Sequence, residues 1–183
     1  MPRGAAGYER ELRDLLQGDS AALRTYARRF PPTGRSAVLG HGRRPFLVVR
    51  AAGSLGFDLV ALRPEFSFPI EVKSSSDETI RFSSASGRGT EQWHQHQSAA
   101  SRVNLLVVYA YRRLGRHEGD SWRLFVTGVR PSDGRLRLLC RRLPEVEQTP
   151  EGHGILRWAH GMPLAEFLGE VAFLTAPAIS AAA

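Results

Sequence analysis

Among 183 residues there is one cysteine, Cys140, and one lysine, Lys73. A lone cysteine closes no disulfide within the chain, and it excludes a zinc site built on cysteines. Long apolar runs are missing too. The longest covers residues 105–110, far short of the roughly 18–20 residues that cross a membrane, and it reads as a buried strand. The amino-terminal stretch MPRGAAGYERELRDLL carries charges where a signal peptide needs an apolar core. A cytoplasmic protein with no membrane partner is therefore expected. The hydrophobic fraction of 42% and the charged fraction of 23% are ordinary for a globular domain, and the length suits one domain with a real core.

Scarce lysine does not mean scarce positive charge. Of the 25 Lys+Arg residues all but Lys73 are arginine, and the net charge is +7. The pI is about 10.6. That balance favours nucleic acid or another anionic surface as partner; a solvated basic surface is the bland alternative. Arg28, Arg29, Arg35, Arg43 and Arg44 flank or occupy one early segment. There they would grip phosphates, each adding to the salt dependence of binding.

Hydrophobic spacing predicts the elements. Tyr8, Leu12, Leu15 and Leu16 follow helical periodicity, so a helix is expected over about 7–17. Gly18 breaks it, and Asp19 or Ser20 caps a second short helix to about Arg29. Pro31 and Pro32 end that helix, and PPTGRSAVLGHGRRP reads as a flexible basic loop. Short β-rich runs follow over 46–52, 57–63 and 67–75. A helix is expected over 90–102, then a strand over 104–113 that is buried on both faces. Further strands are predicted at 122–130, at 135–143 from its Arg/Leu alternation, and at 154–158. Leu164, Phe167, Leu168 and Val171 give a last helix its apolar stripe. The order is helix, three strands, helix, strand, strand: an α/β or α+β chain in one domain.

The lysine stands in SFPIEVKSS. On a strand, residues i and i+2 share a face, so Glu71 and Lys73 sit side by side with Ile70 and Val72 on the other face. Asp58 lies on the preceding strand, a hairpin's length away, and can meet Glu71 at one sheet edge. Two carboxylates brought together repel unless a cation joins them, and oxygen ligands of this kind suit Mg²⁺. Lysine is a compact amine whose pKa shifts readily, whereas arginine stays charged and planar. A site with a metal-bound water therefore explains one retained lysine. A plain surface ion pair between Glu71 and Lys73 is the alternative.

GYERELRDLL, FLVVRAAGS, FDLVAL, PIEVKSS and EQW, in that order, resemble the archaeal-type Holliday junction resolvases of the PD-(D/E)xK nuclease superfamily. The resemblance covers roughly residues 7–113. It implies a restriction-endonuclease-like αβββαβ core, a mixed central sheet flanked by helices. That makes residues 1–173 a single nuclease domain, with accessory strands and a helix over 114–173 as a C-terminal extension and a flexible tail over 174–183. The resemblance also implies a Mg²⁺-dependent site, with Mn²⁺ as a substitute, built from Glu9, Asp58, Glu71 and the Val72 carbonyl. Lys73 is the catalytic amine of that site. Ser54 and Arg50 are implied in active-site support or DNA contact, joined by Arg10, Gln92, Arg43 and Arg44 as DNA-binding residues. The implied activity is resolution of four-way DNA junctions by a homodimer; the alternatives are another endonuclease of the superfamily acting on duplex or branched DNA, or a DNA-binding module whose site has lapsed. The chain departs from the family in its 18–44 insertion, its length past Arg113, and Phe57 where a proline commonly stands.

Other features carry less. His94 and His96 are i, i+2 on the expected helix and do not face each other, so they make no metal pair. Trp93 reads as core. The GRG at 87–89 lacks the Lys-Ser/Thr ending of a phosphate loop. His41, His117, His153 and His160 have no partner at a readable spacing.

Overall fold

The computed structural model describes residues 4–51, 56–83, 89–103, 105–116, 118–128, 131 and 133–176, the side chains of 5 and 103 excepted. In chain order these form α1 (Ala5–Leu16), α2 (Ser20–Ala27), α3 (Pro32–Gly40), a 3₁₀ turn (His41–Arg43), β1 (Leu47–Arg50), β2 (Leu59–Leu62), β3 (Ser67–Ser75) and β4 (Thr79–Arg81). Then come α4 (Gly89–Val103), β5 (Leu106–Arg113), β6 (Trp122–Gly128), α5 (Gly134–Arg142), β7 (Glu147–Gln148), β8 (Gly154–Arg157), β9 (Met162–Pro163) and α6 (Leu164–Thr175).

The main sheet runs β1-β2-β3-β5-β6-β9. Only β3 and β5 are parallel; the other neighbours are antiparallel. A small sheet, β4-β8-β7, stands apart. The order α1, β1–β3, α4, β5 is the mixed α/β core that the resemblance implies, with α2 and α3 inserted ahead of β1.

Two cores sandwich the sheet. Strand alternation assigns Leu106, Val108 and Ala110 of β5 to one face and Val107, Tyr109 and Tyr111 to the other. The first face packs against α1, α2, α3, α5 and α6 through residues such as Leu12, Leu23, Val38, Leu139 and Phe167. The second packs against α4 and the small sheet through Trp93, Ala100, Leu156 and Trp158. Trp93 is core, as expected. Among the described residues no helix is long and apolar enough to cross a membrane.

Two expectations fail for identifiable reasons. The early basic segment is helix α3 and a 3₁₀ turn, not a loop. Pro32 stands at a helix N-terminus, where a missing N–H costs nothing, so the prolines that end α2 also begin α3. Val38 is buried, and His41 Nε2 lies 2.8 Å from the Leu16 carbonyl, which docks the turn on the end of α1. Residues 135–143 contain helix α5 rather than a strand. Leu136, Leu139, Cys140 and Leu143 recur at helical intervals and pack on the first core, overriding the local Arg/Leu alternation. At the carboxyl end, α6 continues to Thr175, whose hydroxyl donates to the Val171 carbonyl at 2.8 Å.

Candidate active site

The register places Leu59 opposite Ile70, so Asp58 stands opposite Glu71 one step further along. The Asp58 amide still donates to the Ile70 carbonyl at 3.1 Å. Past that bond β2 offers β3 nothing, and the Val72 amide donates instead to Asp58 Oδ2 at 2.7 Å. In a strand the N–H and C=O of one residue point to the same side, so the Val72 carbonyl opens on the same gap. Burial pushes the Asp58 carboxyl up. The Val72 amide opposes that shift, the charge of Glu9 adds to it, and Lys73 and Arg50 offset part of it.

Glu71 and Lys73 project from β3 toward α4. Lys73 Nζ donates to Glu71 Oε1 and to Gln92 Oε1, each at 2.7 Å. Gln92 Nε2 donates back to Glu71 Oε1 at 2.8 Å. Glu71 Oε1 thus accepts twice, while Glu71 Oε2 is buried with no hydrogen-bond partner. Burial pushes the Glu71 carboxyl up to about 7, with Lys73 pulling it down and Asp58 pushing it further up.

Helix α4 fixes the approach to Asp58 through two residues four apart. Gln92 Nε2 lies 3.3 Å from the Gly56 carbonyl, and His96 Nε2 lies 2.7 Å from the same oxygen. A carbonyl only accepts, so His96 Nε2 carries the proton and Nδ1 accepts from the Tyr109 hydroxyl at 2.7 Å. Burial holds the His96 pKa down, consistent with that neutral ring. Phe57 stacks on His96 with ring centroids 4.3 Å apart. Gly56 has φ +74°, the left-handed region that glycine adopts freely.

The expected set is brought together unevenly. Asp58, Val72, Glu71, Lys73 and Gln92 share the gap. Glu9 reaches its edge from α1 but pairs with Arg50, Oε2 to Nη2 at 3.0 Å. Among the described residues no three His, Cys, Asp or Glu side chains gather to hold a metal ion, so Glu9 does not complete a three-carboxylate cage. Arg10 is exposed on α1 beside Glu9. Ser54 lies outside the described residues. Arg43 is exposed in the turn that precedes β1, at the end of the sheet remote from Asp58. Arg44 is committed at that remote end, donating to Glu65 Oε1 and to the Thr175 carbonyl at 2.6 Å each. His96 is the residue that spacing failed to single out. Its signal is the i, i+4 interval from Gln92, not the i, i+2 interval from His94.

The gap suits a hard divalent cation. Asp58, Glu71 and the Val72 carbonyl supply oxygens, both carboxyls are held against their charged forms, and Glu71 Oε2 lacks a partner.

No protein-family model matches the chain. No curated protein matches it. Among solved structures the chain is similar to the 1.6 Å structure of Hjc from Archaeoglobus fulgidus, described as a Holliday junction resolvase from an archaeal hyperthermophile. The identity is 19%, the match covers 74% of this chain and 91% of that one, and the TM-score is 0.43. A likeness at that level carries neither a fold assignment nor an activity. The fold stands on the sheet order and register of the chain itself.

Proposed function

We propose that the chain is a Mg²⁺-dependent endodeoxyribonuclease of the junction-resolving type, with Mn²⁺ able to replace Mg²⁺. The observation that carries this reading is the buried Glu71 carboxylate. One oxygen is held by Lys73 and Gln92, and the other is unpartnered opposite Asp58 at the open end of β2. A surface ion pair, the bland alternative, is not buried in this way and keeps both oxygens in water.

Asp58, Glu71 and the Val72 carbonyl would hold the ion, with Glu9 contributing through water. When bound, the ion supplies charge neutralisation at the scissile phosphate and a more acidic water. Lys73 spends two of its three N–H bonds on Glu71 and Gln92, and the third remains for the attacking water or a phosphate oxygen. Gln92 fixes both partners, so the amine enters the reaction already oriented. Arg50, exposed and paired with Glu9 at the rim, offers its remaining N–H groups to the DNA backbone. In-line attack at phosphorus would leave 5′-phosphate and 3′-hydroxyl ends.

A four-way junction presents two symmetric strands, which a C₂ dimer with two such sites would cut in concert. The test is cleavage of an end-labelled four-way junction in Mg²⁺ beside linear duplex of the same arm sequence. Paired symmetric nicks in the junction alone are expected. Equal cutting of both DNAs would leave a nuclease of the same chemistry acting on duplex or other branched DNA. A monomeric sedimentation mass at micromolar protein would remove the dimer.

A further inference from the structure

We infer that Arg113, Arg116 and Arg123, gathered on the ring of Trp158, form a second phosphate-binding station for the DNA backbone leading away from Lys73. This rests on the nuclease reading and adds a surface that Asp58, Glu71 and Lys73 do not include. The guanidinium carbons lie 5.8, 5.8 and 4.4 Å from the Trp158 centroid for Arg113, Arg116 and Arg123. Stacking on an indole holds a guanidinium plane while leaving its N–H edge to meet phosphate oxygens. Trp158 itself is buried, with Tyr111 set edge-on against it at 5.3 Å, so the platform is rigid.

The register ties this cluster to the site. Lys73 pairs with Tyr111, and Tyr111 pairs with Arg123, so the three form one row across β3, β5 and β6 on one face. Ser75 and Arg113 form the next row. Strands are spaced about 4.8 Å apart, which sets Arg123 roughly 10 Å from Lys73. One DNA strand passing Lys73, with a charge about every 3.4 Å of helix axis, can therefore also reach Arg123.

The charge around Trp158 is not balanced locally. Arg113 pairs with Glu78 at 2.9 Å, but Glu78 is 76% exposed, and such pairs are weak. Arg123 donates to the Trp122 carbonyl at 3.0 Å and lies in the field of Asp120 and Glu166. Asp120 is otherwise engaged, accepting from Tyr26 and from the amides of Trp122 and Ala165. Arg116 is exposed and forms no ion pair among the described residues. Three cations converging on one ring repel unless an anion joins them, and a DNA backbone at this end of the sheet brings that anion.

The test measures binding of a labelled four-way junction by fluorescence anisotropy, in EDTA, across a sodium chloride series. Proteins compared are wild type, Arg116→Gln, the triple variant Arg113→Gln/Arg116→Gln/Arg123→Gln, and Arg137→Gln/Arg141→Gln. The last pair is exposed on α5, whose Arg135 approaches Glu65 at the β2–β3 turn, the remote end of the sheet. Each lost phosphate contact takes about 0.9 from the slope of log affinity against log salt. The slope is expected to fall by about 1 in Arg116→Gln and by about 2–3 in the triple variant, with the α5 pair unchanged. An unchanged slope in Arg116→Gln, whose exposed side chain the fold does not need, overturns the station while leaving the nuclease reading intact. Wild type that neither binds nor cuts DNA overturns both.

Discussion

The Gln92 side chain donates to Glu71 Oε1 at 2.8 Å and accepts from Lys73 Nζ at 2.7 Å, closing a ring of three side chains. Removing it frees Lys73 to swing and exposes one edge of Glu71. Gln92→Ala is expected to lower single-turnover cleavage about 10–100-fold, the range found when a group orienting a metal ligand is lost. Junction affinity in EDTA should stay within about twofold, because Gln92 orients the site and adds no charge. Equal losses in affinity and rate would show that Gln92 binds DNA rather than aligning the site.

Lys73→Arg keeps the charge and changes its shape. A planar fork cannot occupy the small space between Glu71 and Gln92 or present one N–H to a water there. Cleavage is expected to fall by more than about 100-fold, within the range general acid–base and positioning groups supply, with binding retained. Wild-type turnover in this variant would remove the role given to the only lysine.

The proton on Glu71 makes a stability prediction for the metal-free chain. Its folded pKa of about 7 lies above the ordinary glutamate value of 4.5. Between those values the folded state holds a proton that the unfolded state has released, so stability falls as pH rises through that window. Glu71→Gln cannot titrate. Relative to that variant, wild type in EDTA should lose on the order of 3 kcal/mol between pH 4 and pH 8. Divalent metal should restore wild type and not the variant. A pH-independent difference between the two in denaturant melts would contradict the buried, proton-holding carboxylate.

Gly56 carries a comparable local demand. Its φ of +74° costs an L-residue about 1–2 kcal/mol, and a Cβ there would lie 3.4 Å from His96 Nε2. Gly56→Ala should lower stability by about that amount. It should lower cleavage further than stability explains, since the same carbonyl anchors His96 and Gln92 two residues from Asp58. Chemical denaturation beside single-turnover kinetics separates the two effects.

What could be read from the sequence depended on how local the cause was. Asp58, Glu71 and Lys73 were legible because a strand's two-residue period and a hairpin's length fix their meeting without distant contacts. β5 was legible because burial on both faces forces an unbroken apolar run. Gln92 was placed by resemblance, whereas His96 became visible only once α4 was set against Gly56. The misread segment at 135–143 shows the opposite case. A strand would turn Leu136 and Leu138 the same way, but packing on α6 and the first core selects the helical set Leu136, Leu139, Cys140 and Leu143. Leu138 is 47% exposed and Leu139 fully buried. Leu138→Asp is therefore expected to change stability by less than about 0.5 kcal/mol, and Leu139→Asp to cost several, on the order of 3–5 kcal/mol. The reverse order would restore the strand.

The most direct measurement is single-turnover cleavage of a labelled four-way junction by wild type and Asp58→Asn, each in Mg²⁺ and in EDTA. Asp58→Asn keeps the side chain's size and an oxygen for the Val72 amide, and removes the charge opposite Glu71. Cutting by wild type in Mg²⁺ alone, lost in Asp58→Asn with junction binding intact, is the expected result. Undiminished cutting by Asp58→Asn, or no cutting by wild type under any divalent metal, would contradict the assignment of this gap as a metal-dependent nuclease site.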